Sequence, residues 1–228
     1  MQVMPKRVDT SSKQKALILE KAGKLFWDRG YDNTSIRHIA RECGFEASNI
    51  YYYFSNKEHI LFELIWQEIN QLVQSIKHLN ADKNHSPADD LRELIKIHVD
   101  LTLRNRQSSL RLLPDAELKR LAPRHKTSII KARDAYDQIL RKIIRSGIDK
   151  GEFAQMDEKL AGFAIASAIV RSRIWFSNYG KYSVSEIADF IFNFVTYGLT
   201  RFKTNVNKQT ISGSTQSGLA KRQDRKKR

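Results

Sequence analysis

The sequence predicts an all-α fold: an N-terminal helix-turn-helix domain built from three short helices, followed by a larger helical domain. Two observations carry this. From Lys15 to Phe202 the apolar residues recur at helical spacing, and no run alternates apolar and polar residues between turn signals as a strand would.

Taken in order, the first helix is expected over Ser12 to Arg29, with Leu17, Ile18, Ala22, Leu25 and Phe26 on one face and Gly30 placed to end it. Thr34 or Ser35 can cap a two-turn helix with Ile36, Ile39 and Ala40 inward, stopped by Gly44 after Cys43. A third helix, Ala47 to Tyr53, precedes the break at Phe54, Ser55 and Asn56, and a long fourth helix runs from Lys57 to Leu79. Ser86-Pro87 opens Ala88 to Arg106, because proline suits the first helical position. Ser108 to Leu121 reads as two short helices broken at Pro114, with Pro123 closing that stretch. Then come His125 to Lys150, ended by Gly151, and Glu158 to Asn178, capped by Asp157. The capping box at Ser183 and Glu186 opens a last helix through Phe202.

The expected domains are a flexible basic arm (1–14), the helix-turn-helix domain (15–60), a helical ligand-binding and dimerisation domain (61–202) and a disordered basic tail (203–228). The boundary falls inside the fourth helix, near residue 60. The tail carries 8 basic residues against 1 acidic and almost no large apolar side chain, so burial cannot offset its ordering entropy. Its terminal KRQDRKKR can hold DNA phosphates nonspecifically or simply solubilise the chain.

Composition narrows the class. With 228 residues, 41% hydrophobic and 29% charged, the chain can bury a sizeable core and is neither collagen-like nor wholly disordered. A formal net charge of +15 favours a polyanionic partner, either nucleic acid or an anionic membrane surface. No run of 18 apolar residues occurs, and the N-terminus lacks the apolar stretch of a secretory signal. The expectation is a cytoplasmic protein with no membrane partner. The single cysteine, Cys43, cannot form an internal disulfide or a thiolate-rich metal site, in keeping with a reducing compartment.

The helices Thr34 to Glu42 and Ala47 to Tyr53, joined through Gly44, form a helix-turn-helix, the geometry that sets a recognition helix into the major groove. Ile36, Ile39, Phe45 and Ile50 fill the space between them. Left on the outward side are Arg37, Ala47, Ser48, Asn49, Tyr51, Tyr52, Tyr53, Ser55 and Lys57, a polar and aromatic set suited to phosphates and base edges. Three consecutive tyrosines fan over more than half the helix circumference, so they cannot all be core.

The segment ILEKAGKLFWDRGYDNTSIRHIARECGFEASNIYYYFSNKEHILFEL resembles the N-terminal domain of the TetR/AcrR family of one-component transcriptional regulators. The matching features run in order: Ala22, Leu25 and Phe26; Gly30-Tyr31; Thr34-Ser35-Ile36-Arg37-x-Ile39-Ala40; Gly44-Phe45; and Ile50-Tyr51-x-Tyr53-Phe54-x-x-Lys57-Glu58. The resemblance implies a homodimer paired through the last two helices, a pseudopalindromic double-stranded DNA operator, and repression released by a small molecule. By position, it implies that Thr34 or Ser35, Arg37, Tyr51, Tyr53 and Lys57 hold the DNA backbone while Ala47, Ser48 and Asn49 face bases. Asn49 suits a bidentate contact to adenine, and Ala47 offers a methyl surface to thymine. Two positions depart from the family pattern: Glu46 stands where Ser or Thr is usual, and Ala47 where Lys or Arg is frequent.

Further along, Arg92-Glu93-Leu94-Ile95-x-x-His98-Val99, Arg133-x-x-Tyr136, Gly151-Glu152-Phe153, Arg173-x-Trp175-Phe176 and Ser183-x-x-Glu186-Ile187-Ala188 are similar to a branch of the family that senses acyl-CoA thioesters. A CoA ester needs an apolar slot and cations, and arginine's planar fork suits phosphate. The ligand candidates are His98, Arg104, Arg106, Arg111, Arg171, Arg173 and Trp175; His98 equally suits a hydrogen-bonded core position, and each arginine an ordinary surface or ion-pair position. No cofactor, metal site or enzymatic activity is expected: HExxH, GxSxG and P-loop motifs are missing, and the six histidines show no i,i+4 ligand pair. The alternatives are an efflux regulator sensing a free lipophilic compound, and a nonspecific architectural DNA binder.

Overall fold

The computed structural model describes residues 10–79, 85–104 and 118–201. Among these residues the regular elements are all helices: α1 (Thr10–Arg29), α2 (Ile36–Cys43), α3 (Ala47–Tyr53), α4 (Lys57–Ile76), α5 (Pro87–Arg104), α6 (Pro123–Asp149), α7 (Glu158–Trp175) and α8 (Val184–Arg201).

The first core gathers Ile18, Leu19, Ala22, Leu25 and Phe26 from α1 with Ile39, Ala40, Ile50, Phe54, Ile60, Leu61, Leu64 and Ile65. Leu19 is buried and Leu17 only half-buried, reversing the expected assignment of that turn. Helix α1 starts at Thr10, so residues 10–14 are helix and not part of a flexible arm. Two contacts hold that first stretch down: Gln14 accepts a hydrogen bond from the Tyr53 hydroxyl (2.6 Å), and Lys15 pairs with Glu63 (3.3 Å).

The helix-turn-helix is set by its caps. Ser35 caps α2 by accepting the His38 amide (3.1 Å), and the His38 ring accepts the Ser35 amide in return (3.3 Å). At the turn Gly44 takes φ 69, a left-handed conformation that costs glycine little. The Phe45 amide then closes on the Ala40 carbonyl (2.9 Å), satisfying one of the free carbonyls at the helix end. Glu46 caps α3 in position only, with no side-chain hydrogen bond, leaving the α3 N-terminus open.

Helix α4 passes from one core to the other. Its Ile60 to Ile65 pack in the first, whereas Leu72, Val73 and Ile76 join a second, made with Leu91, Leu94, Ile95 and Val99 of α5, the C-terminal half of α6, and inward residues of α7 and α8. The change of core thus falls between Ile69 and Leu72, past the boundary expected near residue 60. The first core also recruits Leu118, Leu121 and Ile129. Helix α6 has 27 residues, about 40 Å at the usual rise, long enough to place Ile129 in the first core and Tyr136, Leu140, Ile143 and Ile144 in the second.

Polar contacts fasten the same junction. Glu58 accepts the Ala122 amide (2.9 Å) and faces the His125 ring (2.8 Å), which stacks on Phe62, and Arg120 pairs with Asp32 (2.6 Å). Pro123 sits at the start of α6, so it opens that helix where the sequence suggested only a stop. Helix α7 ends at Trp175, three residues before the expected Asn178, because Phe176 turns extended and packs on the second core. The expected capping box of α8 is formed: Ser183 accepts the Glu186 amide (3.2 Å), and Glu186 accepts the Ser183 amide (2.7 Å). The segment expected as two short helices around Pro114 lies mostly outside the described residues, as do residues 1–9 of the arm and the whole tail.

Candidate DNA-reading surface and ligand domain

Helix α3 buries Ile50 and turns Ser48, Asn49, Tyr51 and Tyr52 outward. The three tyrosines divide by role. Tyr51 and Tyr52 are 56% and 80% exposed, whereas Tyr53 is half-buried, its hydroxyl spent on Gln14. Ala47 is half-buried, and Arg37 and Ser35 are exposed on α2 and its cap. The open face therefore combines small hydroxyl and amide side chains with aromatic and basic ones.

Besides Tyr53, two more residues implied as phosphate contacts have partners within the protein. Thr34 is buried, and its hydroxyl donates to the Gly30 carbonyl (2.9 Å) and lies within reach of the Leu25 carbonyl (3.3 Å). It seals the end of α1, leaving Ser35 as the outer member of the pair. Lys57 donates to the Tyr31 and Thr34 carbonyls, both at 2.7 Å, with its ammonium 4.1 Å from the centre of the Tyr31 ring. Burial holds this lysine below its ordinary pKa. An ammonium has three N–H donors. Two are committed to the α1–α2 loop, so Lys57→Ala is expected to lower the melting temperature and to loosen binding to all DNA sequences together. A change confined to the salt dependence, with no loss of stability, would contradict the loop-holding role.

In the second core His98 and Tyr136 form a buried pair, Nδ1 to hydroxyl 2.9 Å. Burial pushes the His98 imidazole down to about 4 from 6.5. A histidine with a depressed folded pKa gives stability that is fully present above about 6.5 and is lost as pH falls toward 4, because only the unfolded chain takes up the proton in that window. The loss is on the order of 3 kcal/mol. Thermal melts between pH 7 and pH 4 measure it, and His98→Gln is expected to flatten the dependence.

Among the described residues the ligand candidates occupy different settings. His98 faces inward, Arg173 is largely buried against Glu68 and the Thr102 carbonyl, and Arg171 and Trp175 are exposed on α7. The Arg104 side chain, Arg106 and Arg111 lie outside the described residues. Sequence reasoning missed Glu68, Gln14, and the contact between Glu58 and His125. Each is a charged or polar residue on a helix whose partner is remote in the chain, and no local signal marks it.

On the last two helices Leu160, Phe163, Phe190, Phe194 and Tyr197 are all exposed, and the Phe190 and Phe194 rings stack. Large apolar side chains left exposed in this number on one helix pair suit an interaction surface. Gly198 continues the i,i+4 row from Phe194, with open space where a Cβ would stand. Among the described residues no helix is long and apolar enough to cross a membrane.

A short helix pair turned on glycine, presenting a polar and aromatic face beside a larger helical body, defines a helix-turn-helix DNA-binding protein. Residues 18–64 match the bacterial regulatory proteins of the tetR family, and residues 84–199 match the tetracyclin repressor-like C-terminal domain. The chain belongs to the TetR family of DNA-binding transcriptional regulators. It is similar to the fatty acid metabolism regulator protein of Bacillus subtilis, 24% identical over 80% of this chain and 93% of that protein. Among solved structures it resembles the TetR family regulator PfmR of Thermus thermophilus (TM-score 0.71, 29% identity, 81% of this chain and 99% of that one). It shares a fold with AibR, solved with isovaleryl coenzyme A and operator DNA (TM-score 0.70, 21% identity, 79% and 97%).

Proposed function

We propose that the chain is a cytoplasmic homodimeric repressor, without catalytic activity, that binds a pseudopalindromic operator and leaves it when a small hydrophobic ligand, best an acyl-CoA thioester, enters the helical domain. The observation that carries the DNA half is the open face of α3, where Ser48 and Asn49 stand exposed with Tyr51 and Tyr52 while Ile50 anchors the helix from behind. In this reading Ala47, Ser48 and Asn49 meet bases, and Ser35, Arg37, Tyr51 and Tyr52 meet phosphates. Lys57 positions the loop beside them and has one remaining N–H for DNA. Two such helices, held about 34 to 36 Å apart or somewhat more, enter successive major grooves.

Asn49→Ala tests the assigned face. It is expected to cost about 1 to 3 kcal/mol on the preferred operator and almost nothing on unrelated DNA. Unchanged sequence preference in a folded variant would show that another face of α3 reads the bases.

The ligand half rests on likeness: a relative is named for fatty acid metabolism and a structural neighbour holds isovaleryl coenzyme A with its operator. Exposed Arg171 and Trp175, one turn apart on α7, supply a cation and an aromatic plane for a CoA head group, with Arg104, Arg106 and Arg111 as further cations. Operator release titrated with acyl-CoA esters and the matching free acids is the test. Release by CoA esters supports the reading; release by free acids or lipophilic cations alone assigns the efflux-type alternative.

A further inference from the structure

A largely buried ion pair joins α4 to α7 just before α4 changes core. Glu68 lies between Ile65 and Ile69, both packed with the first core, and Leu72, beside the second, follows one turn on. Its carboxylate pairs with the guanidinium Nη2 of Arg173, in the last turn of α7, and the two side chains are only 18% and 14% exposed. The Nε of the same guanidinium donates to the Thr102 carbonyl of α5 (3.2 Å). One side chain thus ties α4, α5 and α7 together. Burial pushes Arg173 down to about 10, so it remains a cation at neutral pH.

A pair of this kind is poor glue. Removing two charges from water costs much of what their attraction returns, and an apolar pair of similar volume often serves stability as well. Losing one partner is a different matter, because it strands a buried charge. That asymmetry makes the contact a two-state element. An incoming oxyanion can take the Nη edge of Arg173 while Nε keeps its hold on Thr102. Glu68, left without its cation, must then reach water, and a turn or shift of α4 would bring it there.

We propose that Glu68 is a built-in competitor for the anionic group of the effector: an effector oxyanion exchanges with Glu68 at Arg173, and the freed carboxylate displaces α4 and the DNA-reading helices attached to it. The inference rests on the ligand-responsive reading above and adds the residue pair through which the charge of the ligand acts. A CoA phosphate and a free carboxylate share this chemistry, and a ligand can shift the equilibrium only by its difference in affinity for the two states.

The test uses the full chain with its selected operator, and saturated acyl-CoA esters of 4 to about 16 carbons, an arbitrary probe series beside the matching free acids, chosen because burial of apolar length adds to anion capture. Glu68→Gln keeps the shape and removes the competing charge. It is expected to bind the active probe about tenfold more tightly, to hold the operator about tenfold more weakly without probe, and to lose most of the probe's effect on DNA, since one tenfold step is the least that marks a distinct coupling. Wild-type behaviour of Glu68→Gln in probe affinity and release overturns the proposal. So does Arg173→Met that still releases DNA as the wild type does, and in that case the ligand-responsive reading stands. Should no probe release the wild-type chain, the ligand class fails and the proposal fails with it. If either single variant does not fold, Glu68→Leu with Arg173→Met replaces the pair by apolar side chains. It is expected to fold, bind the operator and ignore the probe; a normal response from it overturns the proposal. Comparing esters with acids tells which source supplies the oxyanion.

Discussion

Changing both Phe190 and Phe194 to glutamate is expected to leave a monomer in sedimentation and to lower affinity for a two-half-site operator by roughly 10²- to 10⁴-fold. The two rings are 68% and 70% exposed and stacked on one another, so they contribute little to the fold of a single chain. Placed against a second copy, however, the four glutamates would face one another across a desolvated surface. Each half-site would then be bound alone, without the high effective concentration that the second half-site gains when the first is engaged. Thermal stability of the variant at low protein concentration should match that of the wild type measured as a monomer. A dimer that persists in Phe190→Glu, Phe194→Glu would place the interface elsewhere, since like charges at a buried contact cost too much to be absorbed. Gly198 gives a graded version of the same test: a bulky side chain there has room within one protomer and none against a close partner helix.

Ile129→Ala is expected to destabilise the chain by about 2 to 5 kcal/mol, the range for deleting a fully buried branched side chain. In a protein of this size that lowers the melting temperature by roughly 5 to 15 °C. The location of the damage matters more than its size. Ile129 belongs to α6, yet it packs with Phe26, Ile50 and Leu61 in the core that supports the reading helix. Operator affinity should therefore fall along with stability, although Ile129 lies far from α3 in the chain and has no part in the proposed contacts with DNA. Hydrogen exchange in α1 to α3 provides the check: amides there should lose protection in Ile129→Ala. Damage confined to α5, α7 and α8 would mean that the two cores are energetically separate.

That shared core was not legible from the chain. Apolar spacing tells that Ile129 is on a buried face of a helix, and it is silent about which neighbour buries it, because the hydrophobic effect is nondirectional and scales with area removed from water. The same limit explains Leu17 and Leu19, two residues apart on one helix and both apolar, where packing chose the second. It also explains Thr34 and Ser35: either can cap α2 from sequence, and the close approach of Thr34 to the end of α1 decided that Ser35 does so.

What the sequence determined by itself were features with local causes. Glycine at 30, 44 and 151 takes positive φ as helix terminators should, Asp157 caps α7, and Ser183 with Glu186 opens α8, each through contacts within a few residues. The ordered motif from Ala22 to Glu58 likewise placed the chain in its family, because a helix-turn-helix is nearly all short-range geometry. Tertiary structure decided the rest. It committed Lys57 to two loop carbonyls, gave Tyr53 to Gln14, and chose, of the settings the sequence left open for Arg173, an ion pair with Glu68. A long polar side chain reaches several ångströms in any direction its rotamers allow, so its partner is fixed by which helices pack beside it.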